Sequence, residues 1–169
     1  MGVIHASPKI ALLIDAENTK PDFMHLLNLC QNYGAVKIAR IYACRELLTK
    51  KIWQKECQAF GLRPVYSERG IKNSADAMLM MDATEILLAH PEITTFVIVS
   101  RDTDFIPLVR RLKDAGKQTI GVSTAYPPAM LRQCFDEYHT IVRPEWDVFE
   151  FCCHLFYLSY SENQVRDEW

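Results

Sequence analysis

Residues 96–106 read Phe-Val-Ile-Val-Ser-Arg-Asp-Thr-Asp-Phe-Ile, and this stretch decides the fold. A β-branched apolar run stops at Ser100, two carboxylates follow at Asp102 and Asp104, and an amphipathic segment runs from Phe105 to Ala115. A strand that gives way at once to a helix is the building unit of an α/β sheet, whose ligands sit at the carboxyl ends of buried strands. A second strand ends the same way, since Ile10-Ala-Leu-Leu-Ile14 runs straight into Asp15. Two such strands gather negative charge at one edge of the sheet. The usual reason to concentrate carboxylates there is to hold a hard divalent cation through oxygen.

Working outward, strand-like and helix-like runs alternate along the chain, which predicts an α/β fold with a mainly parallel sheet covered on both faces. The expected strands are 10–14, 36–43, 63–66, 95–100, 118–123 and 139–142; the expected helices are 20–33, 46–60, 74–90, 105–115, 128–134 and 146–158. Gly34, Gly61 and Gly116 suit the positions just past three helices, and Pro21 and Pro128 suit first turns. No repeat, low-complexity segment or linker interrupts the pattern. The division is a domain over 1–145, with a C-terminal helix and tail over 146–169 packed on it or extending from it. The last residues, Tyr160–Trp169, are either loose or a docking segment for a protein partner or second copy.

A length of 169 residues is enough for one domain with a substantial core. No apolar run approaches the roughly 20 residues that span a bilayer, so no membrane association is expected. The N-terminal residues lack a secretory signal pattern. The six cysteines show no C-x-x-C pair and no zinc-ligand spacing, and Cys152 and Cys153 are adjacent, so reduced thiols in a cytoplasm are expected. The net charge of −2 conceals a split. Ala35–Lys72 holds nine Lys/Arg against three Glu, and Asp136–Trp169 holds eight acids against two Arg. A basic segment can meet a polyanion or simply solvate a helix face.

The segment Ser74–His90 is apolar almost all round, yet it carries Asp76 in its first turn and Asp82 on the stripe of Ala75, Met78, Leu79 and Ile86. A carboxylate on an apolar stripe is costly unless paired, hydrogen-bonded or bound to metal. Each acid has a bland reading: Asp76 favours the helix dipole, Asp104 caps the helix over 105–115, and Asp15 turns the chain, with Asn18 capping the helix over 20–33. Three segments, Asp15/Asn18, Asp76/Asp82 and Asp102/Asp104, nonetheless bring acids to strand ends or a helix start. Coulomb repulsion disfavours such crowding without a cation. With no His or Cys beside them, Mg²⁺ or Mn²⁺ is favoured over zinc.

Ile10–Asn18, Lys72–Asp82 and Val97–Val109 resemble, in order, the three acidic motifs of the NYN domain, a PIN-like nuclease domain, and its bacterial LabA-like branch most of all. The resemblance covers roughly 9–142. It implies a three-layer, Rossmann-like α/β/α sandwich, a Mg²⁺ or Mn²⁺ site, and hydrolysis of RNA phosphodiesters, with single-stranded RNA as the partner. Asp15, Asp76, Asp102 and Asp104 match the family's catalytic and metal-binding positions, with Asn18, Asp82 and Ser100 in support. Two positions depart from it: Arg101 stands where the third motif often has glycine, and Ser74-Ala75 where Gly-Val is common. Arg101, Lys72 and Arg69 are the candidate phosphate contacts.

Other chemistries lack their signatures. There is no G-x-S-x-G elbow, Walker A or G-x-G-x-x-G, and Glu17 replaces the second Asp of a haloacid-dehalogenase signature. His25, His90, His139 and His154 fall at unrelated spacings. Trp53, Phe60, Tyr66, Phe96 and Phe105 read as core, whereas Tyr126, in a Pro-flanked loop past a strand end, is either a turn residue packed on its own loop or an exposed ring that stacks an unpaired base. The expectation is a metal-dependent ribonuclease; the alternative is a non-catalytic nucleic-acid or protein-interaction module on the same fold. Asp82 is expected to face the acidic cluster, so that neutralising it raises the metal-free melting temperature.

Overall fold

The strands of the computed structural model pair entirely in parallel, in the order β3-β2-β1-β4-β5-β6. They are β1 (Lys9–Asp15), β2 (Ala35–Cys44), β3 (Arg63–Ser67), β4 (Thr95–Val99), β5 (Gln118–Ser123) and β6 (Glu137–Thr140). The described residues are 7–68 and 70–141, so Arg69, the expected helix 146–158 and the tail lie outside them. Helices α1 (Phe23–Gln31), α2 (Arg45–Leu48), α3 (Lys51–Phe60), α4 (Ser74–Ala89), α5 (Ile106–Asp114) and α6 (Ala129–Cys134) make the connections. Among the described residues no helix is long and apolar enough to cross a membrane.

The centre of the sheet follows from its sequence. Strands β1 and β4 are apolar on successive residues because both faces are covered. The pleat deals their side chains alternately: Ile10, Leu12, Ile14, Val97 and Val99 join Phe23, Leu26 and Trp53, while Ala11, Leu13, Phe96 and Ile98 join Leu79, Ile86, Val109 and Leu112. Helices α1 and α3 therefore cover one face, and α4 and α5 the other. Each fully buried leucine or isoleucine contributes about 1.5–3 kcal/mol.

Several local expectations need correction. The single helix expected over 46–60 is two, because Lys50 is extended at ψ 139 between them and the Thr49 hydroxyl bonds back to the Arg45 carbonyl at 2.8 Å. Asp22, not Asn18, caps α1, accepting from the His25 N–H at 3.0 Å. Pro128 is the residue before α6 rather than its first turn. Tyr66 is not core: β3 is an edge strand, and the ring is 38 % exposed, with the Arg45 guanidinium 4.5 Å from its centroid. Gly61 (φ 64) and Gly116 (φ 75) are left-handed just past α3 and α5, as expected.

One glycine serves the site. A methyl group on Gly121 in β5 would overlap the Tyr138 ring of β6. The bare backbone lets that ring lie across β5, and its hydroxyl donates to the Ser100 carbonyl at 2.7 Å.

Candidate active site: an acidic edge where the strand order reverses

The chain moves outward on one side of β1 to β2 and β3, then returns through α4 to place β4 on the other side. The carboxyl ends of β1 and β4 therefore flank the point where strand order reverses, the crevice in which open α/β sheets bind ligands.

Asp15 closes β1 and is buried at 1 % exposure. One carboxylate oxygen accepts from Asn18 Nδ2 at 2.8 Å and Ser100 Oγ at 2.7 Å; the other accepts from the backbone N–H groups of Glu17 and Asn18. The turn reading of Asp15 is thus correct, since its side chain organises residues 15–18. Burial pushes its pKa up, and these hydrogen bonds, Ser100 foremost, pull against that.

From β4 the chain continues the same network. Ser100, 2 % exposed, accepts from the Asp102 N–H at 3.1 Å while donating to Asp15. Asp102 in turn caps the 3₁₀ turn Thr103–Phe105, accepting from the Asp104 N–H at 2.9 Å. The capping residue is thus Asp102, and Asp104 stays exposed in the first turn.

Asp76 enters from α4. It lies in the first turn of that helix, 8 % exposed, and has no hydrogen-bond or ion-pair partner among the described residues. The helix start is set by Asn73, left-handed at φ 58, and by Ser74 Oγ, which accepts the Glu68 N–H at 3.1 Å. Burial, then the charges of Asp15, Asp102, Glu17 and Asp104, raise the Asp76 pKa to about 6. Four carboxylates therefore act on a fifth that has no donor of its own. Sequence reasoning overlooked Glu17, although its signal was present: it is a second acid inside the Asp15–Asn18 motif, with one oxygen accepting from the Cys44 N–H at 2.8 Å.

Asp82 is placed differently from expectation. Its carboxylate forms an ion pair with Arg40 of β2 at 2.7 Å and accepts from the Tyr42 hydroxyl at 2.8 Å. The charges that raise Asp76 most are those of Asp15, Asp102, Glu17 and Asp104. Burial first, and the Asp82 bond second, hold the Tyr42 phenol protonated far above its ordinary range. Asp82 thus fastens α4 to β2 and is satisfied without a metal.

Around the acids, Arg101 and Lys72 are exposed and make no ion pair among the described residues. Tyr126, beyond β5, is 75 % exposed, with Arg132 Nη1 3.3 Å from its hydroxyl. Among the described residues no three Asp, Glu, His or Cys side chains have the geometry of a ready metal cage. The donor chemistry nevertheless fits a hard cation: the acids are oxygen donors, and Asp76 is a buried carboxylate without a partner.

The pattern described as the NYN domain matches residues 9–142. The uncharacterized protein MJ0482 of Methanocaldococcus jannaschii is 32 % identical over 128 residues, covering 69 % of this chain; the chain spans about half the length of that relative, 50 %. A crystal structure of VPA0982 from Vibrio parahaemolyticus, a protein of unknown function, superposes with a TM-score of 0.65 at 20 % identity, over 83 % of this chain and 96 % of that one. That likeness concerns the fold alone.

Proposed function

The chain belongs to the NYN domain family, and from that premise we propose that it is a metal-dependent ribonuclease of the PIN-like, LabA-like kind. It would act on single-stranded RNA in a cytoplasm. The observation that carries this reading is Asp76: a buried carboxylate with no donor, in the field of Asp15, Asp102, Glu17 and Asp104. Such repulsion is relieved by a cation or by a proton, and a site kept open to a cation is the arrangement phosphodiester hydrolysis needs.

Mg²⁺ or Mn²⁺ would be held by Asp15, Asp76, Asp102 and Asp104, and when bound would polarise a phosphoryl oxygen and supply a hydroxide nucleophile. The chain's own groups prepare this. Asn18 and Ser100 fix the Asp15 carboxylate, and Ser100 ties the end of β4 to the end of β1. Arg101 and Lys72 are free to meet backbone phosphates, and exposed Tyr126 offers a face for an unpaired base.

The test is labelled single-stranded RNA incubated with the protein and Mn²⁺, with and without chelator. Cleavage should require the metal and vanish in Asp102→Asn. Cleavage that persists unchanged in that variant would eliminate the assignment. A second reading, a non-catalytic RNA- or protein-binding module, has one observation in its favour: both Asp15 oxygens are already occupied by protein donors and no ready cage exists among the described residues. It predicts RNA retention with neither cleavage nor a Mn²⁺-dependent rise in melting temperature.

A further inference from the structure

Two arginine–tyrosine pairs stand at the carboxyl edge of the sheet, one on either side of the acids. Tyr66 is the penultimate residue of β3, and the guanidinium of Arg45, just past the end of β2, lies 4.5 Å from its ring centroid. Tyr126 lies in the loop after β5; the guanidinium of Arg132 in α6 lies 5.8 Å from its centroid, with Nη1 3.3 Å from the phenol oxygen. Both rings are exposed. Both distances are within the ~6 Å reach of a cation–π contact, which keeps a ring and a positive charge together at the surface. Aromatic rings and guanidinium planes are the side-chain surfaces on which unpaired bases stack, and the charge meets the phosphate beside the base.

Strand order fixes where the pairs lie relative to the acids. Along β3-β2-β1-β4-β5, the first pair stands at the ends of β3 and β2, the acids at the ends of β1 and β4, and the second pair past β5. Exposed Arg101, just past the end of β4, lies between the pairs in the same order. At ~4.8 Å between neighbouring strands, β3 and β5 stand about 19 Å apart. A stacked single strand advances ~3.4 Å per nucleotide, so about six nucleotides bridge that distance, and fewer if the strand is stretched.

We propose that this edge is one continuous track for single-stranded RNA, anchored by Arg45–Tyr66 at one end and Arg132–Tyr126 at the other, so that the strand crosses the acids between its anchors. The track rests on the ribonuclease reading for what happens to the strand at the acids, though not for the binding itself. Either anchor alone holds one base. Together they hold one strand at two points, and the second contact is then made at high effective concentration. The separation of the anchors therefore sets a minimum length for tight binding.

The test is fluorescence anisotropy with fluorescein-labelled RNA trimers and hexamers of mixed sequence, in Mn²⁺, on the full chain carrying Asp102→Asn to prevent cutting. Every variant is measured well below the lowest melting temperature of the set. The hexamer should bind about tenfold tighter than the trimer, and Tyr66→Ala or Tyr126→Ala should each weaken it about tenfold, the loss of one stacked base. Tyr66→Phe, which keeps the ring, should leave hexamer binding unchanged. The trimer engages one anchor at a time, so it should lose less than about twofold in either single alanine variant and most of its affinity in the double one. Equal binding of trimer and hexamer, or a hexamer indifferent to Tyr66→Ala, would overturn the track. An abasic hexamer that binds as tightly as the intact one would overturn it too, since charge alone would then hold the strand. Hexamer binding of the expected kind, with no cutting of any RNA when Asp102 is restored, would support the track and remove the nuclease. Cutting, with hexamer binding unmoved by Tyr66→Ala, would keep the nuclease and remove the track.

Discussion

Replacing Asp76 by asparagine removes one negative charge from a buried group whose neighbours are acids, so the metal-free protein should become more stable. Burial and the surrounding carboxylates move its pKa from 3.8 to about 6. Discounted for solvent at the mouth of the site, that displacement corresponds to ~2 kcal/mol of unfavourable energy in the charged form. The folded pKa lies above the unfolded one, so the folded state holds a proton that the unfolded chain has released. The favourable contribution is complete below pH 3.8 and is lost as pH rises through about 6. Asp76→Asn should therefore melt about 4–8 °C higher than the parent in EDTA at neutral pH, for a domain of this size. Near pH 4 the two should melt together. Added Mn²⁺ should raise the melting temperature of the parent and raise that of the variant less, since stabilisation by a bound cation grows with the logarithm of its affinity. Thermal melts monitored by circular dichroism at both pH values, with and without metal, measure all of this. A variant that melts with the parent at neutral pH would refute the claim that Asp76 is ionised under strain.

Other substitutions have outcomes fixed by the same geometry. Asp82→Asn should lower the metal-free stability by about 2 kcal/mol, because it leaves Arg40 half-buried without its counter-charge; a cycle with Arg40→Met, read by urea unfolding, should recover part of the loss. Gly121→Ala should displace the Tyr138 ring and break its bond to the Ser100 carbonyl, reducing RNA cleavage more than it shifts the urea midpoint. Tyr126→Ala, at an exposed site, should leave stability within about 0.5 kcal/mol and weaken binding of single-stranded RNA by the ~1–3 kcal/mol of one stacked base, measured by fluorescence anisotropy.

What the sequence discloses here depends on how local the deciding physics is. Strands β1 and β4 were readable because a strand buried on both faces leaves an unbroken apolar run, and the aspartate that ends it announces its own place. Asp76 was readable from a helix start followed by apolar residues. The destination of Asp82 was not, because its partners, Arg40 and Tyr42, lie some forty residues away on a strand whose alignment with α4 is a tertiary fact. Tyr66 failed for a related reason: a short apolar strand reads the same whether it is central or at an edge. The break between α2 and α3 turns on the Thr49 hydroxyl donating to the Arg45 carbonyl and on the extended Lys50, a local competition that helix periodicity does not register.

The hydrogen bond between Ser100 and Asp15 joins residues 85 apart in sequence. Closing so long a loop costs entropy before any contact repays it, and here the closure is the insertion of β4 beside β1. The segments before β4 comprise β1, β2 and β3 with their helices, and none of them contains Ser100, Asp102 or Asp104. Asp15, Glu17 and Asp76 precede β4, and Asp102 and Asp104 join them only with that strand. The full set of acids around Asp76 is therefore complete only once that central strand is in place.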